Sequence, residues 1–256
     1  SSDVCSSDLM SSIGTSGVVA KFEADTNVDY SGDIHFFNHA IPDKYYSMGV
    51  TLAAGDANAW FKSVFGQERN FKDWINEAEQ SAVGANGLIF TPYISGERTP
   101  YPDADIRASF IGVDRTHQQS DFIRAVLEGI IFSFKDIMTI YDREGANFDT
   151  VVAIGGGAKS PLWLQIQANI FDKKVTTLVN EQGPGLGAAM LAATGLGWYH
   201  TVEDAANAII KFGQTYYPDP EAVANYAQIY AIYQKIYSAT REVSHDLLTY
   251  RRQLHS

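Results

Sequence analysis

The turn Ile13-Gly14-Thr15-Ser16-Gly17 lies between two short apolar runs, residues 9–13 and 18–22, and consists mainly of small residues. Two strands joined by such a turn form a β-hairpin, whose tip presents backbone N–H groups and hydroxyls. A tip of this kind suits an anion, above all the terminal phosphates of a nucleotide. The sequence therefore predicts a phosphate-binding hairpin close to the first residue of the chain.

A second turn, Gly155-Gly156-Gly157-Ala158-Lys159-Ser160, follows an apolar strand at residues 151–154 and precedes a helix predicted over residues 161–171. Ser160 is a typical N-cap residue, and Pro161 suits the first helical position. Because a helix N-terminus favours negative charge, this turn also predicts an anion site. It matches neither the dinucleotide-binding glycine motif nor a Walker A loop. A tight turn without a ligand would explain the same glycines.

A third turn of small residues covers positions 183–187 and precedes a helix predicted over residues 188–194. Its glycines suit a phosphate in the same way as those of the first two turns. They also suit close contact between this helix and a sheet, because glycine has no side chain to separate the two. The turn alone leaves both interpretations open.

The remaining pattern indicates an α/β fold. Helices are predicted over residues 57–65, 71–82, 121–143, 161–171, 188–194, 202–212 and 220–249, and strands over residues 9–13, 18–22, 87–91, 151–154 and 175–179. The helix that begins at Ser120-Asp121 is apolar around most of its circumference, which predicts deep burial. The strand–helix–strand–helix order from residue 151 to residue 194 favours an α/β architecture, and we expect one domain.

The composition limits the classes of partner. The 256 residues carry a formal net charge of −11, which disfavours nucleic acid and anionic membranes as partners. Cys5 is the single cysteine, so no internal disulfide can form, and no Cys/His cluster indicates a metal site. No apolar run reaches the length of about 18 residues that a membrane helix needs. These features predict a cytoplasmic protein.

Residues 1–9 read Ser-Ser-Asp-Val-Cys-Ser-Ser-Asp-Leu, a nearly duplicated polar tract. The tract has no periodicity that would place it on a helix or a strand. We therefore expect a non-native or disordered lead over residues 1–9 and a folded domain over residues 10–256.

The turns, together with the loop Tyr93-Ile94-Ser95-Gly96-Glu97-Arg98-Thr99-Pro100-Tyr101, resemble the C-terminal half of an FGGY-family carbohydrate kinase. The resemblance implies an RNase H-like (actin-like ATPase) lobe, with a mixed sheet flanked by helices. Glu97-Arg98-Thr99-Pro100 is similar to the xylulokinases of this family rather than to its gluconokinases. The matching segments are residues 12–18, 48–55, 84–88, 96–100, 124–130, 154–159 and 180–184.

The resemblance implies a set of residues that bind the phosphates of ATP. Gly14 and Thr15 match the second phosphate loop of the family, which contacts the β- and γ-phosphates. Gly96 matches a glycine near the nucleotide phosphates. Mg²⁺ is implied together with ATP.

The resemblance also implies an adenosine site. Gly156, Gly157 and Ala158 match the motif that lies beneath the α-phosphate and the ribose. Ser160 occupies a position where related kinases often place an Asn against the adenine, so this contact differs here. Glu97 and Arg98 are expected to be mainly structural.

The catalytic machinery of the family is expected outside this chain. The family takes its general base from an Asp just before the second phosphate loop, and residues 1–9 do not match that segment. The first phosphate loop and most of the sugar pocket belong to the N-terminal lobe of the family. We therefore expect the base Asp upstream of this chain. The implied partners are ATP or ADP, a ketose sugar, the missing N-terminal lobe and, in a homodimer, a second copy.

These implications predict the nucleotide-side lobe of a kinase that converts D-xylulose to D-xylulose 5-phosphate. On its own the lobe is expected to be inactive and to bind ATP weakly or not at all. Two alternatives stay open, namely another kinase of the family, acting on gluconate or ribulose, and a non-catalytic lobe kept as a scaffold.

Overall fold

The computed structural model describes residues 9–254, except 25, 27, 31, 67, 181 and 182. Most of the predicted lead, residues 1–8, lies outside the described residues. The predicted lead also included Leu9, but this residue is the first residue of a strand and is fully buried. It pairs with Lys21 on one neighbouring strand and with Val151 on the other, so the folded part includes it.

A mixed sheet forms the centre of the fold. The strands are β1 (Leu9–Ile13), β2 (Gly17–Glu23), β3 (His35–Asn38), β4 (Tyr45–Thr51), β5 (Ile89–Thr91), β6 (Ser109–Ile111), β7 (Thr150–Gly155), β8 (Lys174–Leu178) and β9 (Phe212–Tyr216). Seven of them form one sheet in the order β3-β4-β2-β1-β7-β8-β9, and β5 pairs with β6. β1, β7 and β8 run parallel, whereas the other neighbours are antiparallel.

Helices flank this sheet, which confirms the predicted α/β class. In the described residues they are α1 (Gly55–Phe65), α2 (Phe71–Glu77), α3 (Gln119–Arg143), α4 (Pro161–Phe171), α5 (Pro184–Gly195), α6 (Val202–Ile209), α7 (Pro220–Tyr233) and α8 (Ile236–Gln253). The predicted α2 is too long, because its last turn is a 3₁₀ turn at Ala78–Gln80. None of the described helices is long and apolar enough to span a membrane.

The predicted deep burial of α3 is confirmed. Its N-terminus begins at Gln119, because Asp121 accepts the Gln118 N–H at 2.7 Å and so caps the first turn. Phe134 of α3 lies where a side chain at Gly17 of β2 would be. The helix therefore packs directly beneath the β1–β2 hairpin.

The helix predicted over residues 202–212 is wrong at its C-terminal end. α6 stops at Ile209, and β9 pairs antiparallel with β8 through Val175 with Tyr216 and Thr176 with Thr215. β9 is an edge strand and is largely exposed, so it shows no apolar alternation. Pairing with β8 stabilises this strand, and a period-based prediction does not detect such pairing.

The single helix predicted over residues 220–249 is two helices, α7 and α8. Residues 221–253 contain neither Pro nor Gly, so the sequence does not mark the break. At the break the Lys235 N–H donates to the carbonyl of Ile232 at 3.0 Å, which is the tighter 3₁₀ pattern. Tyr233 and Ile236 on either side are both buried, so tertiary packing fixes the break.

Two of the buried carboxyl groups are those of Glu97 and Asp136. Glu97 Oε1 accepts the N–H groups of Leu52 at 3.1 Å and Arg98 at 2.7 Å, and Asp136 Oδ1 accepts the Tyr230 hydroxyl at 2.6 Å. The second oxygen of each carboxyl has no partner among the described residues. Burial raises the pKa of Glu97 to about 8 and the pKa of Asp136 to about 7. The fold therefore favours the neutral form of both groups.

We expect these two groups to lower the free energy of unfolding as the pH rises from about 4 to about 8. In this window the unfolded chain has released both protons while the folded protein still holds them, so a higher pH favours unfolding. Glu97→Gln removes one titrating group and keeps an acceptor for Leu52. Its unfolding free energy should fall less steeply, by up to about 1 kcal/mol per pH unit.

Urea denaturation at several pH values measures this slope. Glu79→Gln, at an exposed position, is the matched control and should follow the wild type. Equal slopes for Glu97→Gln and the wild type would show that Glu97 is ionised in the folded protein.

Candidate nucleotide-binding site

The tip of the β1–β2 hairpin is a loop of three residues. Ile13 and Gly17 form the last pair of the two strands, so Gly14, Thr15 and Ser16 span the turn. All three are exposed, and the Gly14 N–H donates to the Ser16 carbonyl at 3.1 Å. In the described part of the chain, the N–H groups of Thr15 and Ser16 donate to no other group. The predicted hairpin is confirmed, and its tip offers two amide donors.

The first turn of α1 holds this tip in place. The N–H groups of Ala54 and Asp56 donate to the Thr15 carbonyl at 2.9 and 3.1 Å, and the Gly55 N–H donates to the Gly14 carbonyl at 2.8 Å. A helix N-terminus leaves such N–H groups without partners inside the helix, so the tip acts as its cap. The two tip carbonyls are therefore engaged with α1, while the tip amides remain open. No pattern in the sequence indicated this contact.

The tip, α1, α2 and the glycine turn after β7 border a cavity of about 580 Å³. This volume is in the range typical of small-molecule sites. Residues from distant parts of the chain meet in its wall, among them five that the resemblance assigned to ATP: Gly14, Thr15, Gly156, Gly157 and Ser160. The structure thus places the first two predicted anion turns at one site.

The parallel pairing of β1 with β7 explains why these turns meet. Ile13 and Gly155 are paired, so both strands deliver their turns to the same edge of the sheet. Gly155 has a φ of +81°, and a Cβ there would lie 2.6 Å from the Ile13 carbonyl oxygen. A Cβ at Gly157 would lie 2.5 Å from Ile13 Cδ1. Close approach between the two turns therefore requires glycine.

Two of the predicted site residues do not line this cavity. Ala158 is half-buried and packs against the hydrophobic core. Gly96 is buried in a turn at a φ of +85°, and a Cβ there would lie 2.9 Å from the Ala104 carbonyl oxygen. The shape of that turn accounts for this glycine. Contact of Ala158 and Gly96 with a nucleotide stays a prediction.

The third glycine turn is also away from this wall. Glu181 and Gln182, which precede it, lie outside the described residues. A Cβ at Gly185 or at Gly187 would meet no described atom within 4 Å. Close contact between helix and sheet therefore does not account for Gly185 or Gly187 within the described residues.

Ser160 has a structural role in addition to its place in the wall. Its Oγ accepts the Trp163 N–H at 3.2 Å, which confirms it as the N-cap of α4. The hydroxyl is already bonded to the helix, and it is shorter than the Asn often found at this position in related kinases. Recognition of a base through an amide therefore requires a side chain from another element.

The cavity has a positive local balance in an acidic chain. Lys72 and Lys159 line it, and Asp56 is the only carboxylate among its described lining residues. The apolar part of the wall comes from α2 and α4, through Phe71, Ile75, Pro161 and Trp163. Amide donors and cations beside an apolar surface suit a ligand with phosphates at one end and a flat base at the other.

The mixed sheet and its flanking helices have the fold of an actin-like ATPase lobe. The FGGY family of carbohydrate kinases, C-terminal domain, matches residues 9–196. The chain belongs to this family.

Similar proteins are sugar kinases. A xylulose kinase of Staphylococcus epidermidis is 48% identical over 238 residues, which is 93% of this chain and 48% of that protein. A ligand-bound xylulose kinase of Lactobacillus acidophilus superposes with a TM-score of 0.86 at 28% identity, over 93% of this chain and 48% of that one. A gluconate kinase of the same organism superposes with a TM-score of 0.84 at 29% identity, over the same shares of the two chains. The chain thus spans about half the length of these relatives.

We expect Gly55→Ala to weaken binding of ADP to this chain by about tenfold, an effect of roughly 1.4 kcal/mol. The new Cβ would lie 2.4 Å from the Gly14 carbonyl oxygen, so the tip must move away from α1. Ligand-observed NMR titration measures the affinity, and thermal denaturation checks the fold. Gly195→Ala, where a Cβ meets open space at the end of α5, is the control and should bind as the wild type does. Unchanged affinity in Gly55→Ala would exclude a role of the tip position in binding.

Proposed function

We propose that this chain is the nucleotide-side lobe of an ATP-dependent xylulokinase. The whole enzyme would transfer the γ-phosphoryl group of ATP to D-xylulose and release D-xylulose 5-phosphate and ADP. The observation that carries the proposal is the convergence of the Gly14 and Thr15 tip with the Gly156 and Gly157 turn on one cavity. The 48% identity to a protein named xylulose kinase supports the choice of sugar.

Each part of the wall has a role in this proposal. The amide of Thr15, in the wall, and the amide of Ser16, next to it in the tip, hydrogen-bond the terminal phosphates. Gly156 and Gly157 let the backbone approach the α-phosphate and the ribose. Lys72 and Lys159 offset the negative charge of the phosphates. Mg²⁺ binds mainly through phosphate oxygens and one or two carboxylates, and Asp56, beside the tip, is the carboxylate that fits this need.

The remaining machinery belongs to the other half of the enzyme in this proposal. The sugar pocket, the first phosphate loop and the Asp base are assigned to the half of the relatives that this chain does not span. The chain would therefore hold the nucleotide weakly, in about the millimolar range, and would not turn over sugar. Closure of the second half over the tip would exclude water from the transfer.

Residues 10–256, together with Leu9, are proposed to be one domain. The family match ends at residue 196, but β9 extends the same sheet beyond this point. Tyr226 and Tyr233 of α7 are buried in the core and contact Phe132 of α3. The C-terminal elements thus pack as part of the same unit.

We expect the purified chain to show no sugar-dependent release of ADP. Fusion to the N-terminal half of the Staphylococcus epidermidis xylulose kinase should restore phosphorylation of D-xylulose, because both halves of the phosphate site are then present. A coupled ADP assay with D-xylulose, D-ribulose and gluconate measures the activity and its sugar preference.

Activity of the chain alone would contradict the assignment of the base to the other half. An inactive fusion that still binds ADP would support a scaffold lobe. The sugar preference of the fusion reflects the sugar pocket of the added half and not that of the native enzyme. The same assay on the full gene product therefore decides between D-xylulose and gluconate. Gluconate is the second candidate because a gluconate kinase superposes almost as well, with a TM-score of 0.84.

A cytoplasmic location and a homodimer complete the proposal. One face of α8, continued by its C-cap residue Leu254, carries four apolar side chains with spacings of four, three and four. Each is more than half exposed: Val243, Leu247, Tyr250 and Leu254. This spacing is the a/d pattern of a helix that pairs with a second helix. In a parallel pair Asp246 would flank the stripe at position g, opposite Arg251 of the second copy at position e.

We expect Leu247→Glu to convert the dimer to a monomer, because a charge in the centre of the stripe disfavours its burial. Light scattering coupled to size-exclusion chromatography measures the mass. Thr249→Glu adds the same charge to another face of α8 and should leave the mass unchanged. A wild-type protein that is monomeric at high concentration would remove the dimer from the proposal.

A further inference from the structure

Asn58 of α1 has a fixed orientation in the wall of the cavity. It lines the cavity and is only 1% exposed. Its Oδ1 accepts the indole N–H of Trp74 at 3.0 Å. Because an indole nitrogen can only donate, this bond determines which end of the amide is oxygen. The Nδ2 group must therefore point away from Trp74.

The Nδ2 group of Asn58 is an unused donor. Among the described residues it donates to no acceptor, in contrast to the Oδ1 of the same amide. Some unpartnered side-chain atoms have almost no solvent-accessible area, and among the described residues they belong to Thr51, Glu97, Asp136 and Gln167. Asn58 Nδ2 does not belong to this group, so it keeps some accessible area. It is therefore unpartnered but accessible, and the accessible space beside Asn58 is the cavity. A buried donor of this kind is costly unless a ligand or a water accepts from it.

The bond to Trp74 holds Asn58 beside α2, the helix that supplies part of the apolar wall of the cavity. Trp74 is fully buried in α2, and Phe71 and Ile75 of the same helix supply part of the apolar wall. Phosphates do not suit such a surface, whereas a flat aromatic base does. A purine carries unprotonated ring nitrogens that accept hydrogen bonds at its edge.

We propose that Asn58 Nδ2 donates a hydrogen bond to a ring nitrogen of the purine base, and that Asn58 is thereby a residue that determines base specificity. The inference rests on the proposed function, in which this cavity holds ATP. It also explains how the site reads a base although position 160 is a Ser whose hydroxyl caps α4. The amide comes from α1 instead of from the glycine turn.

The first test is binding of adenosine to Asn58→Asp in the 256-residue chain, by ligand-observed NMR. The carboxyl group has the shape of the amide and still accepts from Trp74. Because burial favours its protonated form, which can donate, the titration is run at about pH 9, where the ionised second oxygen cannot donate. Adenosine carries no phosphate, so repulsion between charges does not contribute. We expect a loss of affinity of at least about tenfold. Ser63→Asp adds the same charge at an exposed position of α1 and should bind adenosine as the wild type does.

The second test begins with the wild type, so its first comparison does not depend on folding of Asn58→Asp. Three deazaadenosines each replace one ring nitrogen by a C–H group. The wild type should bind one of them more weakly than adenosine, by about the same factor as Asn58→Asp loses for adenosine. Asn58→Asp should not distinguish that analogue from adenosine.

Unchanged adenosine affinity in Asn58→Asp, or no deazaadenosine that separates the wild type from the variant, would overturn the role of Asn58 while leaving the nucleotide site intact. Failure of the wild type to bind either adenosine or ADP at millimolar concentration would overturn the proposed function, and this inference with it. The two failures are therefore distinguishable.

Discussion

The pairing of β1 with β7 is the contact on which the site depends. It joins Ile13 to Gly155, two residues far apart in the chain, and it is parallel, so that both strands end at the same edge of the sheet. Each strand then turns through glycines, and the two turns share one cavity. A shift of one residue in this register would exchange the faces of β1 and separate the turns. The buried side chains of Leu9 and Ile13 oppose such a shift, because it would expose them.

Backbone hydrogen bonds complete the geometry that this pairing begins. The carbonyls of Gly14 and Thr15 accept from the first turn of α1, which caps the helix and orients the tip. The same contact leaves the tip amides as the groups that face outward. Backbone amides and two lysines, Lys72 and Lys159, give this cavity a positive local potential, so an acidic chain with a net charge of −11 can still present groups that suit an anion.

The parts of the fold that the sequence predicts are those with local signals. The hairpin, the burial of α3 and the bounds of α4 follow from turn residues, apolar spacing and the N-cap Ser160. The end of α6, strand β9 and the break before α8 depend on contacts between distant residues, and no local signal marks them. The candidate site likewise has parts with a local sequence signal and parts without one. Glycine turns are visible in a sequence, whereas the clamp between α1 and the tip appears only when the chain is folded.

The two ends of the cavity differ in what a sequence can reveal about them. Phosphate recognition by backbone amides depends on glycine and on tight turns, so it leaves a recognisable pattern. Base recognition depends on one side chain held in one rotamer by a neighbour, as Trp74 of α2 holds Asn58 of α1. Neither residue indicates a ligand-binding role when it is considered alone in the sequence. The exposed tip faces outward, where a second lobe can approach it, while helices α1, α2 and α4 border the apolar end. In the proposed function, this lobe would complete the base site by itself, whereas transfer of a phosphoryl group would require groups on the open side of the tip.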